Sequence, residues 1–516
     1  MEENKMSKGK EILAILLLTL VIGTGTLAWI VWSSKDNTKM NVTIGDLADV
    51  SFKTGNDINI SNLSPSFYYD DGALTEFSIR KKKGLTTELN TNIYLDITSI
   101  SDELKNDNFK YVLLSSSDGN TYNEVISSSF KDASIGKLSI VTDSPLTDGK
   151  TYYKFYIWID GNNENNTTMQ GKSLKGTLNV NVSTPPVNAV TFVEGLDKGE
   201  TGDSGSGVYK VTHSAIPASS SATGSEIPAV TDYRYYGASP NNYICLDMEG
   251  QSTCPDKHLY RIIGSIYEEL ENTNRIKVIK ATPLTDGTTS AFSWDYKVNN
   301  GNGSYDNIWA TITSGNYSNS LTSGSQLMKL LNSGLWWNGT SGSYYNNSTT
   351  ATSVNFTNYK LSDKAKSYIT TSRYYLGGYK NQTPLTNEMY GYERGIKRYN
   401  TDRPLYWEGM VGLMYPSDYG YAAGNTCVTG TKLWDYSGGC MNKDWLHISN
   451  TDQWLMLPYS GNSVLVFRTS SSGFVHNYGD GSISYNVRSA RPVFFLSSSA
   501  SISEGEGTSA APYILS

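Results

Sequence analysis

The sequence has few of the residues on which metal centres and redox enzymes depend. Its 516 residues include four cysteines and four histidines, and residues 38–184 contain neither type. Basic residues are also scarce, because 42 Lys and Arg stand against 49 Asp and Glu and give a net charge of −7. A nucleic-acid-binding protein needs a basic face to neutralise phosphates, so no nucleic-acid partner is expected.

Tyrosine is the abundant residue type. The chain has 37 Tyr, more than its 13 Phe and 11 Trp together, while charged residues make up only 18%. A chain so rich in aromatic residues buries enough apolar area to offset its conformational entropy, which argues against disorder. Its length predicts two or three domains.

The first hydrophobic segment predicts the compartment. Residues 12–32 contain no charged residue, a length that crosses a bilayer as a helix. Lys5, Lys8 and Lys10 precede it and favour a cytoplasmic N-terminus. We therefore expect residues 1–35 to form a cytoplasmic tip and a single-pass anchor in the cell membrane, with the bulk of the chain extracellular. The alternative is a signal peptide cleaved after Ala28, which exports the chain as well.

Residues 36–184 alternate between apolar and polar types in short runs separated by turn signals, which predicts an all-β sandwich, Ig-like or jelly-roll-like, acting as a stalk. One face of each sheet is expected to be exposed to solvent. The export segment and these strands resemble camelysin and TasA-like exported β-sandwich proteins, which include biofilm-fibre subunits. The runs are 90–100, 109–117, 137–143, 151–161 and 176–183.

Residues 185–231 are expected to form a linker. The segment opens near a pair of adjacent prolines, Pro185 and Pro186, and is then rich in Gly, Ser and Thr. Within it, GVYKVTH (207–213) has the pattern of a strand that adds to the next domain.

Residues 232–516 have a mixed α+β pattern. RIKVIKA (275–281) and LVFRTS (465–470) predict strands, and 324–333 predicts a helix. A further helix is expected over 361–376, with Ser362 as its N-cap and a stop at the following Gly-Gly pair.

This C-terminal part resembles a known family in several phrases. It is similar to membrane-anchored bacterial surface proteins whose C-terminal domain has the C-type-lectin fold, as in formylglycine-generating enzymes and the variable proteins of diversity-generating retroelements. The resemblance implies a rigid scaffold of sheet and two helices that displays long ligand-binding loops. The phrases are YRYYGASPNNYICL (233–246), LYRIIGSI (259–266), VGLMYPSDYGYA (411–422), NKDWL (442–446) and RPVFFLSSSASISEGEGTSAAPYIL (491–515).

By that analogy, the binding loop is the stretch 458–489, which precedes the last matching phrase. Tyr provides rigid amphipathic contact area there, and Ser, Gly and Asn adapt to a ligand. Elsewhere, Trp336 and Trp337 are adjacent, so one of them is expected to be exposed and available for sugar or protein contact. The candidate ligand-binding residues of the loop are Tyr459, Arg468, Phe474, His476, Tyr478 and Tyr485.

The cysteines fall into two local pairs, Cys245 with Cys254 and Cys427 with Cys440. In an exported domain these pairs predict two disulfides, each worth about 2–4 kcal/mol of stability. Zinc is the competing interpretation, but zinc sites favour C-x₂₋₄-C spacings. We expect no cofactor and no obligatory metal, calcium included.

The sequence therefore predicts a membrane-anchored receptor or adhesin that binds an extracellular protein or glycan and is not an enzyme. The alternative is a structural protein of an extracellular matrix or fibre. An extracellular hydrolase is disfavoured by the lack of a spaced nucleophile–base set. Asp418 and Asp444 suggest paired carboxylates for glycoside hydrolysis, but they are expected instead to cap turns or to hydrogen-bond buried backbone. An oxidase of the formylglycine-generating type is disfavoured because the cysteines are used in pairs.

Overall fold

The computed structural model describes most of the chain from residue 40 onward. The expected membrane anchor (12–32) and Tyr478 lie outside the described residues. Among the residues that are described, none belongs to a helix with the length and apolar character needed to cross a bilayer. The described ranges are 40–44, 47–53, 55–85, 88–162, 166–221, 225–251, 253–295, 308–310, 324–348, 350–396, 405–477 and 482–516.

The chain divides into two compact units, Met1–Pro185 (unit 1) and Pro186–Ser516 (unit 2). The strands of unit 1 are β1 (Met40–Ile44), β2 (Ala48–Phe52), β3 (Asp57–Ile60), β4 (Pro65–Ser66), β5 (Ala73–Lys81), β6 (Asn90–Ile100), β7 (Phe109–Ser116), β8 (Asn123–Ser129), β9 (Gly136–Pro145), β10 (Lys150–Asp160) and β11 (Leu174–Ser183).

Unit 1 is an all-β sandwich. One sheet has the strand order β1-β2-β5-β10-β7-β8, with β4 paired to β10, and the other has the order β3-β11-β6-β9. Ile93, Leu95 and Ile97, every second residue in the middle of β6, enter the core and are at most 1% exposed. Phe155 and Ile157 of β10 join the same core from the other sheet. The period-two pattern thus builds two sheets that bury one face each.

The outer face of β7 and β10 is largely buried, whereas the sequence predicted a face exposed to solvent. Tyr156 and Trp158 of β10 are only 7% and 8% exposed and form a second small cluster with Val112 and Leu114 of β7. The ring of Tyr69 lies 5.2 Å from that of Tyr156 and so helps to cover this face. The reason is that large apolar side chains occupy the outward positions of both strands, aromatic on β10 and aliphatic on β7, and water is a poor environment for them.

The strands of unit 2 are β12 (Val187–Asn188), β13 (Gly207–His213), β14 (Val230–Tyr236), β15 (Tyr243–Cys245), β16 (Leu259–Glu268), β17 (Thr273–Lys280), β18 (Phe292–Ser293), β19 (Ser341–Tyr344), β20 (Thr352–Asn355), β21 (Ser372–Tyr375), β22 (Tyr406–Gly409), β23 (Gln453–Pro458), β24 (Val466–Thr469), β25 (Val475–His476), β26 (Val487–Arg488), β27 (Val493–Phe495), β28 (Ser501–Glu504) and β29 (Tyr513–Leu515). Its α-helices are α1 (Ala189–Glu194), α2 (Gln326–Asn332), α3 (Leu335–Asn338), α4 (Asp363–Ser367), α5 (Thr386–Glu393), α6 (Pro416–Ala422), α7 (Asn425–Gly430) and α8 (Gly438–Met441).

A central sheet organises unit 2. Its order is β12-β28-β29-β15-β16-β14-β13, and β17 adds to β16 and then pairs with β27. Its core contains large aromatic side chains, among which Trp294, Trp309 and Trp454 are at most 1% exposed. Short helices and two- or three-stranded ribbons surround the sheet, so the mixed pattern expected for this half is seen as a β-rich fold with few helices.

The expectation of a linker over residues 185–231 is corrected for the first part of that segment. Residues 186–213 are part of unit 2, because β12 pairs with β28 and β13 pairs with β14. Asn188 caps α1, and its Oδ1 accepts hydrogen bonds from the backbone amides of Val190 and Thr191. Backbone pairing therefore overrides the loop-like composition, and the strand expected over 207–213 is present with those bounds.

The helix expected over 361–376 is also shorter than predicted. Ser362 caps it as expected, since its Oγ accepts from the amide of Ala365 at 3.1 Å, but α4 ends at Ser367. Residues 372–375 instead form β21, which pairs with β22. The β-branched run Ile369–Thr371 disfavours continuation of the helix, and the pairing with β22 provides an alternative for the backbone.

Both expected cysteine pairs lie at disulfide-bond distance. The Sγ atoms of Cys245 and Cys254 are 2.00 Å apart, and those of Cys427 and Cys440 are 2.13 Å apart. All four cysteines of the chain are thus paired.

Candidate functional site

The loop region 458–489, where we expected ligand contacts, is built on the ribbon β23-β24-β25. Tyr459, Arg468, Phe474, His476 and Tyr485 are all half-buried. None of these five is an exposed ring or cation of the kind that a binding loop would display.

The contacts of these side chains hold the ribbon together. Arg468 Nη1 donates to Asp452 Oδ2 at 2.8 Å. His476 meets the ring of Trp434 edge to face, with the centroids 4.9 Å apart. Burial, assisted by the nearby Arg468 cation, lowers the pKa of His476 below its usual value. Tyr459 Oη donates to the Lys380 carbonyl at 2.7 Å. These contacts stabilise the ribbon, and the ligand-binding role of its residues stays a prediction.

A second region, centred on Trp337, forms a concave surface. Trp336 is buried at 1% exposure and Trp337 is half-buried, so neither reaches the full exposure expected for one of the two adjacent tryptophans. A cleft of about 450 Å³ opens beside it (the Trp337 cleft). The residues lining the cleft are Asn332, Ser333, Trp337, Asn338, Thr371, Glu408, Gly409 and Met410.

Helix α3 and strand β22 position the lining residues. Met410, just after β22, exposes 38% of its surface and adds an apolar wall. Glu408 of β22 is held by Arg373 of β21, whose Nη2 donates to Glu408 Oε1 at 2.6 Å. Asn338 is exposed at the end of α3, and its Nδ2 donates to the Ser333 carbonyl at 2.6 Å. The cleft therefore combines an aromatic ring with a carboxylate and an amide held in place.

A cation lies beside the indole of the cleft. Lys366 Nζ is 5.2 Å from the centroid of the Trp337 ring, a distance at which a cation is attracted to the π face. This contact and the packing of Trp337 against the core restrict the ring.

The two carboxylates that suggested glycoside hydrolysis are not accessible. Asp418 is 2% exposed and Asp444 is 5% exposed. Asp444 accepts from the amide of Leu446 at 2.8 Å and from Tyr436 Oη at 3.0 Å. Asp418 accepts from the amide of Tyr415 at 3.0 Å. Both thus bond buried backbone, as the sequence predicted, and neither faces a substrate.

Asp418 also joins helix α6 to the central sheet through a buried charge network. Its Oδ2 lies 2.5 Å from Lys277 Nζ on β17, and its Oδ1 accepts from Arg234 Nη1 on β14 at 3.0 Å. Arg234 in turn binds Asp232, which also meets His213 Nε2 at 2.9 Å. Burial alone raises the pKa of Asp418, but Lys277 and Arg234 outweigh it and hold this pKa below its usual value.

Sequence reasoning identified one residue of the Trp337 cleft and missed the others. The adjacent tryptophans were a local signal, whereas Glu408 and Met410 come from a segment some seventy residues away. They reach the cleft because β22 pairs with β21, where Arg373 aligns with Glu408. The pairing of β21 with β22 cannot be predicted from any periodicity in the sequence.

Comparison with known proteins yields no relative. The chain matches no protein-family model, and neither a curated protein nor a solved structure is significantly similar to it.

Proposed function

We propose that this protein is an exported, membrane-anchored binding protein of a bacterial surface, and that unit 2 binds a carbohydrate ligand in the Trp337 cleft. The observation that carries the proposal is the half-buried indole of Trp337 beside the carboxylate of Glu408 and the amide of Asn338. The resemblance to lectin-fold surface proteins supports the same function class.

The chemistry of the cleft suits a sugar. The C–H face of a pyranose ring packs on an aromatic ring, while its hydroxyls need carboxylate and amide partners in the same site. Because the Glu408 side chain is fixed by Arg373, and the Trp337 ring by Lys366, little entropy is lost when a ligand binds. A glycan is therefore favoured over an extended protein surface, which would need a larger exposed patch.

Replacing Trp337 by alanine is expected to weaken glycan binding by about 2 kcal/mol, about 30-fold, because a central aromatic contact is lost. The measurement is binding of the chain from residue 38 onward to an oligosaccharide array, followed by calorimetric titration with the best binder. Circular dichroism checks that the variant is folded.

Trp434→Ala is the matched control. Trp434 is also half-buried but packs on His476 in the expected loop region. If Trp434→Ala abolishes binding and Trp337→Ala leaves it intact, the loop region 458–489 is the site and the cleft is not. Absence of binding to every oligosaccharide of the array contradicts the carbohydrate assignment.

A specific observation favours a second function, self-association of unit 1. Phe67 and Tyr68 follow β4 and are 68% and 69% exposed. They continue the aromatic outer face of β10, because the next residue, Tyr69, contacts Tyr156 and Trp158. Exposed aromatic side chains beside an apolar sheet face are typical of protein–protein contacts, so this surface fits a matrix or fibre subunit.

The double variant Phe67→Ser with Tyr68→Ser is expected to reduce self-association of the chain from residue 38 onward. Sedimentation velocity over a range of concentrations measures it, and the wild type should sediment faster as its concentration rises. Ile135→Ser is the control, since Ile135 is 72% exposed between β8 and β9 and is not a member of the outer-face cluster of β7 and β10. A wild type that stays monomeric at all concentrations contradicts the fibre function.

A further inference from the structure

Three side chains with metal-binding atoms meet near the disulfide of Cys245 and Cys254. Asp247 and Glu249 lie in the loop that this disulfide closes, and His258 directly precedes β16. One ligand atom from each of the three lies within 4.8 Å of the others. We call Asp247, Glu249 and His258 the loop triad. It is separate from the Trp337 cleft and from the expected binding loop.

The spacing within the loop triad is close to that of a coordination sphere. Glu249 Oε1 and His258 Nε2 are 3.1 Å apart. Two ligands on one zinc ion, with bonds of about 2.0 Å in a tetrahedron, are separated by about 3.3 Å. A metal ion between the carboxylate and the imidazole therefore requires only small side-chain movements.

The surroundings of the triad hold its members in place. Ser362 Oγ donates to Asp247 Oδ2 at 2.5 Å, an outer hydrogen bond of the kind that orients a metal ligand. His258 is completely buried, and its carbonyl accepts from the amide of Leu246 at 3.0 Å. The ring thus cannot swing away, and the disulfide restricts the loop that carries both carboxylates.

A lysine lies where it balances the charge of Glu249. Lys257 Nζ lies 2.8 Å from Glu249 Oε1, the same oxygen that meets His258. Its side chain is 24% exposed and so has a route to solvent. The charge of Lys364 also acts on Asp247. Each carboxylate of the triad therefore has one lysine near it, and a divalent cation would replace Lys257 as the counter-charge of Glu249.

We propose that Asp247, Glu249 and His258 bind a divalent transition-metal ion, with Zn²⁺ as the reference ion, and that the ion displaces Lys257 from Glu249. The imidazole nitrogen selects transition metals over Mg²⁺ and Ca²⁺, whose preferred ligands are all oxygen. The ion would tie the disulfide loop to the start of β16. It is an addition to a folded unit, in keeping with the expectation that no metal is obligatory.

The test is calorimetric titration of Zn²⁺ into the full chain after removal of metals with a chelator. Wild type should bind one ion. Glu249→Gln should lower the affinity for Zn²⁺, because a direct ligand is lost. Loss of an outer-shell partner costs about 10–100-fold in affinity, and the loss of a direct ligand should cost at least as much. Lys257→Met should raise the affinity, because the ion no longer competes with an ammonium group. His447→Gln, a half-buried histidine remote in sequence, should leave the affinity unchanged.

The two variants of opposite expected sign keep the result decisive even if one of them folds poorly. A wild type without stoichiometric Zn²⁺ binding overturns the proposal. Equal affinities in wild type, Glu249→Gln and Lys257→Met overturn it as well, since any bound zinc would then lie elsewhere. A loss of affinity in His447→Gln alone assigns the zinc to that histidine instead.

Discussion

Replacing Asp418 by alanine is expected to lower the free energy of unfolding of unit 2 by about 3–5 kcal/mol, because the change leaves buried charges without a partner. Asp418 is 2% exposed, and Lys277 beside it is also 2% exposed. The side chain moreover accepts the amide of Tyr415 near the start of α6. Urea unfolding followed by tryptophan fluorescence measures the loss, since eight of the eleven tryptophans lie in unit 2.

A second substitution separates the unpaired charge from the lost packing. In the double variant Asp418→Ala with Lys277→Met, the buried ammonium is gone, while Arg234 keeps its contact with Asp232. We expect this double variant to be more stable than Asp418→Ala alone. Asp435→Ala is the control, because Asp435 is exposed on the same unit. If the single and double variants are equally unstable, the unpaired charge of Lys277 is not the cause of the lost stability.

The stability of unit 2 is expected to fall between pH 5 and pH 8 through Glu393. Burial raises the pKa of Glu393 from 4.5 to about 7, although Arg394 partly opposes this shift. In that range the folded state keeps a proton that the unfolded chain releases, so stability is lost as the pH rises through the folded pKa. The shift corresponds to about 3 kcal/mol at most.

Glu393→Gln is expected to remove this part of the pH dependence. Ser417 donates to Glu393 from its amide at 2.8 Å and from its hydroxyl, and a glutamine retains an oxygen for the amide. The measurement is the difference in urea midpoint between variant and wild type at pH 5 and pH 8. The difference cancels the opposite contribution of His213, whose pKa burial lowers. A difference that is the same at both pH values contradicts the assignment.

Local patterns predicted many elements because strands of unit 1 bury one face. Strand β6 has the predicted bounds of 90–100, since Ile93, Leu95 and Ile97 alternate with polar residues. The two cysteine pairs were predictable for a related reason, because nine and thirteen residues separate their members and few alternatives exist. Short-range spacing was sufficient in both cases.

Long-range pairing was not visible in the same way. The segment 372–375 has a composition that suits a helix or a strand, and its pairing with residues 406–409 decided for the strand. The five candidate residues of the expected binding loop that the structure describes were also affected by long-range contacts. Their residue types predicted exposure, yet contacts such as those of Arg468 with Asp452 and His476 with Trp434 leave these side chains only partly exposed.

The sequence by itself determined the β-rich character, the sandwich of unit 1 and the cysteine pairs, because period-two alternation and short spacings act between neighbours along the chain. Only the tertiary structure decided which polar groups meet. Asp418 finds Lys277 and Arg234 from 141 and 184 residues away. Glu408 reaches the Trp337 cleft through the register of two strands. Such contacts depend on how elements dock, and docking is set by the packing of whole faces rather than by any one segment.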